Sequence, residues 1–209
     1  MAPIPLYVTE WMKGYLGKDA PDYDAGFIAG IESEARFVHE MHIKIDDIDR
    51  FVSDPDHVAV MDGYVEYAAF GGRRPVTGAS FKMFVDSNTP GLKYMKYRIP
   101  FTNDKGESLT LYGHKTVHDD RSLDLWGDTT TLYTAVYQGD LRAPEPPADK
   151  QPFVRGIIHI EKLDLLKSIM SFRSPGSSPT QAEQAMSTFG RFFMGKLWDV
   201  YGRWARIKS

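Results

Sequence analysis

Apolar and polar residues alternate along the middle of the chain, and this alternation predicts antiparallel β-strands. Within residues 36–46, the apolar Phe37 and Ile43 fall on one face, whereas Glu40 and His42 fall on the other. A period of two is typical of a strand that buries one of its faces. The segment therefore predicts a half-buried strand.

Later segments repeat this alternation, and turn residues separate them. Residues 102–107, TNDKGE, join two such runs and predict a hairpin. We predict strands over residues 36–46, 61–70, 78–86, 92–101, 108–118, 129–138 and 153–162. About seven strands at hairpin spacing indicate a mainly β fold, either an antiparallel lipocalin-like β-barrel or a strongly curved sheet.

Helices are predicted on both sides of these strands. The first covers about residues 22–35, where Gly26 and Gly30 lie four apart on one side and permit close approach of another element. A short helix is expected over 163–172. A long amphipathic helix is expected over 179–206, after a flexible SPGSSPT connection.

We expect the 209 residues to form one domain, since large β-barrels often use this whole length. Its parts are an N-terminal segment with a short helix over 1–35, a β-barrel over 36–162 and a helical layer over 163–209. Residues 1–20 show no clear periodicity but are rich in apolar side chains. We expect them to lie partly extended against the body of the protein.

Charge and composition exclude several classes of protein. The net charge is −3 and the pI is about 6.1, whereas a general nucleic-acid binder needs a basic face. The absence of cysteine excludes disulfides, a thiolate nucleophile and cysteine-based zinc sites. No segment approaches the ~20 apolar residues of a membrane span, and the first residues lack a secretory signal. We therefore expect a cytoplasmic protein without a nucleic-acid partner.

The histidines do not have the spacing of a metal site. His114 and His118 lie four apart on a predicted strand, which separates them by about 13 Å at ~3.3 Å per residue. His39 and His42 point to opposite faces. The acidic residues of 46–49 lack the glycine and final glutamate of a calcium loop, and a solvated helix start explains them. We therefore expect no bound metal.

Motifs of catalysis and nucleotide binding are also absent from the sequence. It contains no GxSxG, no P-loop and no GxGxxG. We expect no cofactor, and no residue is assigned a catalytic role.

The apolar strand faces predict a ligand cavity. A barrel of about eight strands can hold one small ligand inside, and apolar faces from four strands point to a shared interior. We assign the lining of this cavity to Phe81, Met83, Met95, Tyr97 and Leu111.

Two ionisable residues share these apolar faces, and two interpretations apply to them. Lys115 lies on the face of Leu111, and His39 lies on the face of Phe37 and Met41. Either they sit at the barrel rim, with the lysine amine reaching water, or they act inside the pocket. In the second case each is a polar ligand anchor or a general acid/base.

The polar segment before the strand at 129–138 contains Trp126, Asp128 and several other aspartates. Aspartates commonly close turns by accepting hydrogen bonds from backbone amides. The alternative is a pocket lid, with Trp126 as an apolar plug and Asp128 or Tyr133 at the mouth of the cavity.

The long C-terminal helix carries a broad apolar stripe that includes Phe189, Phe193 and Trp204. Packing against the barrel explains this stripe. The alternatives are an interface with a second copy of the chain or another partner, or a peripheral contact with a membrane surface.

Several longer strings resemble an accessory region of bacterial oxidoreductases of the glucose-methanol-choline family, in its cholesterol-oxidase-like group. They include HIKIDDIDRF, LTLYGHKTVHDD and GKLWDVYG, and the similarity covers roughly Trp11 to Gly202. The sequence lacks the glycine fingerprint of the flavin fold, so no flavin chemistry follows. The resemblance implies a setting near sterol or lipid oxidation and an oxidoreductase partner, and it transfers no catalytic residue.

Three functions follow from these predictions. The first is binding of an apolar, lipid-like or sterol-like ligand in the barrel, as an accessory to a redox enzyme. The second is a cofactor-free isomerase or cyclase acting on an apolar substrate, which requires an inward ionisable residue with a perturbed pKa. The third is a structural or oligomerisation domain with a barrel filled by its own side chains.

Overall fold

Eight antiparallel strands close into a barrel in the computed structural model, which describes residues 2–89, 91–118 and 129–206. Each strand pairs with the next in the chain, and the last pairs with the first. The strands are β1 (Leu6–Lys18), β2 (Arg36–Ile45), β3 (Val58–Tyr67), β4 (Gly72–Asp86), β5 (Leu92–Thr102), β6 (Ser108–His118), β7 (Thr131–Gln138) and β8 (Val154–His159). This closed barrel confirms the predicted mainly β, lipocalin-like fold and excludes the open curved sheet.

Alternation of side chains places the core inside the barrel. In β2 every second residue from Phe37 to Ile45 is buried, and the residues between them are partly exposed. The same alternation runs from Met95 to Phe101 in β5. Successive side chains of a strand point to opposite faces, so these buried residues share one interior.

The first strand is where the structure departs most from the sequence-based expectation. Leu6–Lys18 is not an accessory segment beside the barrel but the strand that closes it, paired with β2 on one edge and β8 on the other. The partly exposed Trp11 and Tyr15 stand on its outward face. These outward aromatics obscure the period of two in the sequence.

The connection between β3 and β4 also differs from the prediction. The segment GGRRP is not a free turn, because β4 begins at Gly72. The reversal is made instead by a 3-10 helix at Ala68–Phe70 and by Gly71, whose φ of 82° suits glycine. The start of β4 therefore pairs directly with the end of β3.

Phe70 closes this end of the barrel. Its ring centroid lies 4.9 Å from that of Tyr67, 5.2 Å from that of Phe101 and 6.2 Å from that of Phe153. Only 1% of Phe70 is exposed. The 3-10 helix thus inserts an aromatic plug between β3, β5 and the segment before β8.

The described part of the chain includes the helices α1 (Tyr23–Glu32), α2 (Ile48–Ser53), α3 (Lys162–Met170) and α4 (Pro179–Arg206). Two of them, α2 and α4, cover the end of the barrel opposite Phe70. Phe192 of α4 meets Phe51 of α2 at 5.7 Å and His57 at 4.6 Å, measured between ring centroids. Phe192 and Phe193 also meet Phe84 of β4 at 6.0 and 5.3 Å, which confirms that the long amphipathic helix packs on the barrel. None of the described helices combines the length and apolar character needed to cross a membrane.

The predicted start of α2 is confirmed. The Asp47 carboxylate accepts hydrogen bonds from the backbone N–H groups of Asp49 and Arg50, at 3.1 and 3.4 Å. These bonds satisfy amides that lack partners within the helix. The acidic run therefore caps a helix.

Two glycines let α1 lie against the outer face of β1 and β8. A Cβ atom at Gly26 would stand 2.2 Å from the carbonyl oxygen of Arg155, and one at Gly30 would stand 2.7 Å from the backbone nitrogen of Leu16. The predicted close approach is therefore confirmed.

Replacing Gly26 with alanine is expected to destabilise the protein by about 1–3 kcal/mol, because the added methyl group must displace α1 from β8. Gly190 in α4 is the matched control, since an added Cβ there meets nothing within 4 Å. Gly190→Ala should instead stabilise the protein by about 0.5–1 kcal/mol. Urea denaturation measures both, and a Gly26→Ala variant as stable as the parent would contradict this packing.

Candidate functional site

An ion pair lies inside the barrel. Glu10 on β1 and Lys115 on β6 are both buried, and β1 and β6 are not neighbours in the sheet. The side chains reach across the interior, and the Lys115 Nζ donates to the Glu10 Oε2 at 2.6 Å. With only 2% of Lys115 exposed, its amine does not reach water at a rim. The structure therefore places Lys115 in the interior and not at the rim.

Tyr97 and His39 complete a polar cluster around the Glu10 carboxylate. The Tyr97 hydroxyl donates to the Glu10 Oε2 at 3.2 Å. The His39 Nε2 lies 3.5 Å from the Glu10 Oε1, and His39 is fully buried. The Lys115 Nζ also lies 5.4 Å from the centre of the Tyr97 ring. We call Glu10, His39, Tyr97 and Lys115 the interior cluster.

Three buried atoms of the interior cluster have no hydrogen-bond partner among the described residues. They are the Glu10 Oε1 and both ring nitrogens of His39. The His39 Nε2 and the Glu10 Oε1 face each other at 3.5 Å, but this approach does not have hydrogen-bond geometry. Leaving one buried polar atom unpaired costs about 1–3 kcal/mol, and such atoms are uncommon in folded proteins. The interior therefore offers unused hydrogen-bonding capacity on one side of the cluster.

Electrostatics fix the protonation of two members of the cluster. Burial alone would raise the pKa of the Glu10 carboxyl, but the Lys115 charge and the contacts with His39 outweigh it and lower that pKa to about 2. Burial, reinforced by the Glu10 charge, raises the pKa of Tyr97 well above its ordinary value. At neutral pH, Glu10 is thus an anion and Tyr97 is a hydrogen-bond donor.

The apolar residues that were predicted to line a cavity lie in the same core as the interior cluster. Phe81, Met83, Met95 and Leu111 are all buried in the main core. The Phe81 ring centroid lies 4.7 Å from that of Tyr97. Together with Tyr97, the predicted lining residues therefore share one interior.

One predicted site residue faces away from this interior, and two others cannot be placed because they lie outside the described residues. Tyr133 stands on the outer face of β7, stacked on His114 with ring centroids 5.3 Å apart. This placement corrects its assignment to the mouth of the cavity, because β7 directs the neighbouring Leu132 and Thr134 inward instead. Trp126 and Asp128 lie outside the described residues, as do the side chains of the C-terminal helix near Trp204.

Glu10 was not predicted as a site residue, although the sequence contains a signal for it. Even-numbered positions of β1 form its buried face, and they include Leu6, Glu10, Met12 and Leu16. A lone ionisable residue on an apolar strand face is the pattern that identified Lys115 and His39. Once residues 6–18 are recognised as a strand, the same argument selects Glu10.

No group of three or more His, Asp and Glu residues within the described ranges is arranged to hold a metal ion. Comparison of the chain with protein-family models, with curated proteins and with solved structures gave no match. The chemistry of the site therefore rests on the geometry of the interior cluster.

Proposed function

We propose that the barrel binds one small, mostly apolar molecule that carries a hydroxyl group, with the interior cluster as its anchor. The observation that supports this proposal is the set of unpaired buried atoms on Glu10 and His39, enclosed by apolar walls. Small-molecule sites combine a mainly apolar lining with a few placed polar groups. The barrel interior has this composition, since apolar side chains line it and the interior cluster supplies the polar groups.

The unpaired atoms favour a neutral hydroxyl over an ion. A carboxylate oxygen only accepts hydrogen bonds, whereas a neutral imidazole offers one donor and one acceptor. A hydroxyl group both donates and accepts, so it can serve the Glu10 Oε1 and one His39 nitrogen together. Glu10 and Lys115 already neutralise each other, so neither of these two charges is left to favour an ionic ligand.

An eight-stranded barrel is wide enough to hold one small ligand inside, so we propose a single bound molecule. A lipid or sterol-like alcohol combines an apolar body with one hydroxyl. The resemblance to accessory regions of cholesterol-oxidase-like enzymes makes sterols the first class to examine. An oxidoreductase that acts on such alcohols is then the proposed partner.

Replacing His39 with leucine is expected to lower ligand affinity about tenfold or more, because the hydroxyl loses its imidazole partner. Leucine keeps an apolar filling at this position. His42→Leu is the matched control, since His42 lies three residues along the same strand, faces outward and contacts Asp62 at 3.0 Å. Organic extraction of each purified protein, followed by mass spectrometry, measures the bound ligand.

The proposal predicts a hydroxylated apolar compound in extracts of the parent and of His42→Leu, and several-fold less in extracts of His39→Leu. Circular dichroism checks that both variants are folded. Extracts without any such compound, from a parent protein that also fails to take up added alcohols, would contradict the proposal and leave a structural domain as the function.

A second candidate function is proton transfer on the bound molecule, as in a cofactor-free isomerase. The observation in its favour is the inward Tyr97, whose pKa is raised by burial and by Glu10, beside the unpaired His39 nitrogens. Perturbed pKa values in an enclosed site are a mark of acid–base catalysis.

Proton transfer predicts that the extracted ligand, returned to the protein in D₂O, gains deuterium at carbon. His39→Gln should abolish this exchange if His39 is the base. Mass spectrometry of the re-extracted ligand reads the result, and a ligand without carbon-bound deuterium after prolonged incubation rules out this candidate.

A further inference from the structure

A second concave site lies on the outside of the barrel. It is a cleft of about 350 Å³ over the outer face of β5, β6 and β7, lined by side chains that include Tyr23, Tyr94 and His114. We propose that this cleft binds a neutral, planar aromatic small molecule. The proposal does not depend on the interior ligand, because it is argued from side chains on the outer face of the sheet, although Tyr97 of the interior cluster also lines the cleft.

Aromatic rings line the cleft, and we call the space that they border the slot. The His114 ring forms the floor of the cleft, and the rings of Tyr23 and Tyr94 are nearly perpendicular to it. The Tyr23 ring lies 5.6 Å from the His114 ring between centroids, at 74°, and the Tyr94 ring lies 6.0 Å from it, at 81°. Tyr133 stacks beside His114 at 25° and holds the floor in place. A flat ring can enter such a slot and make the edge-to-face or offset contacts that aromatic pairs prefer.

The proline-rich segment after β7 forms a fixed outer wall. The Tyr112 hydroxyl donates to the backbone carbonyls of Leu141 and Ala143, at 3.2 and 2.8 Å. The Arg98 Nε donates to the same Leu141 carbonyl at 2.6 Å. These bonds hold the segment that contains Pro144 against the cleft. The cleft is thus formed before a ligand arrives, which reduces the entropy lost on binding.

The charges at the cleft favour a neutral occupant. Lys96 forms an ion pair with Glu145, and both residues line the cleft. Burial, together with the Lys96 charge, lowers the pKa of His114, so its ring is uncharged at neutral pH. No net charge therefore selects a cation or an anion.

Polar groups at the edge of the slot remain available to a ligand. The hydroxyls of Tyr23, Tyr94 and Tyr137 form no hydrogen bond with any described residue. Burial raises the pKa values of Tyr23 and Tyr137, so both stay protonated at neutral pH. A heteroatom on the edge of an aromatic ligand would find a donor there.

Indole is the probe for this proposal, with tetramethylammonium and benzoate as charged comparators. Titration of the full chain with indole, followed by aromatic ¹H–¹³C NMR, should give saturable shifts for Tyr23, Tyr94 and His114. Tyr94→Ala should weaken indole binding about five- to tenfold, because one wall of the slot is removed. Tyr94→Leu, which keeps an apolar side chain, should weaken it by a smaller factor.

Tyr64→Ala is the matched control, since Tyr64 is a partly exposed tyrosine on the outer face of β3, away from the cleft. It should leave indole binding unchanged. Unsaturable shifts, shifts confined to other residues, or equal weakening by Tyr64→Ala would overturn the site. Binding of either charged comparator in preference to indole would overturn the class of ligand.

Discussion

Replacing Lys115 with methionine is expected to destabilise the barrel by about 3–5 kcal/mol, because it leaves the Glu10 carboxylate buried without its countercharge. The two side chains are held at 2.6 Å in the interior, and the remaining contact at the Glu10 Oε2 is the Tyr97 hydroxyl. Methionine has nearly the length of lysine, so the loss reflects charge more than volume.

Two further variants separate the charge from the packing. Glu10→Gln in the Lys115→Met background should recover much of the lost stability, since the uncompensated anion is gone. Lys44→Met is the matched surface control: Lys44 pairs with Asp62 on the partly exposed outer face, and its loss should cost about 0–1 kcal/mol. Urea denaturation of the four proteins gives the comparison. Equal losses for Lys115→Met and Lys44→Met would contradict a buried pair.

The same pair predicts how stability depends on pH. The pKa of Glu10 is about 2 in the folded protein, against an ordinary value of 4.5. A carboxyl whose pKa is depressed by folding stabilises the protein fully above its ordinary pKa and loses this effect as the pH falls toward the folded pKa. About 3 kcal/mol should therefore be lost between pH 4.5 and pH 2. In Glu10→Gln this part of the pH dependence should disappear.

Replacing Phe70 with alanine is expected to destabilise the protein by about 3–5 kcal/mol. The ring is almost fully buried and contacts three other aromatic rings at the end of the barrel. Truncation removes these contacts and leaves a cavity that the closed strands cannot fill. Thermal and urea denaturation measure the loss.

Phe70→Leu tests whether the loss of stability follows the volume removed. Leucine restores part of that volume and should recover more than half of the lost stability. Met170, which is 85% exposed on α3, provides the surface control, and Met170→Ala should change stability by no more than about 0.5 kcal/mol. A Phe70→Ala variant within that range would show that the 3-10 helix does not close the barrel.

Much of the barrel follows from the sequence because its strands alternate clearly. The alternation from Phe37 to Ile45 and from Met95 to Phe101 predicts which side chains face inward, and the structure buries them. The glycine pair of α1 likewise predicts a close contact that the structure contains. These are local patterns, in which a few neighbouring residues determine the direction of each side chain.

The candidate site was harder to predict because it forms only when the barrel closes. Glu10 and Lys115 are 105 positions apart, and no local pattern pairs a carboxylate on the first strand with an amine on the sixth. Outward aromatics such as Trp11 hide the strand that carries Glu10. Without that strand, Lys115 on an apolar face has no visible partner and fits a rim position equally well.

The direction of Tyr133 illustrates a second limit. Its strand was predicted, but β7 is buried on both faces over much of its length, because α1 covers part of the outer side through Tyr23. A strand covered on both faces gives no alternation from which inward and outward positions can be read. The aromatic cleft outside the barrel was hidden for the same reason.

The most direct measurement is a high-resolution crystal structure of the full chain purified without delipidation. We expect an organic molecule inside the barrel, with a hydroxyl oxygen within hydrogen-bond distance of a His39 ring nitrogen and the Glu10 Oε1. An interior in which side chains alone pair those atoms, with no room for a ligand, would contradict it.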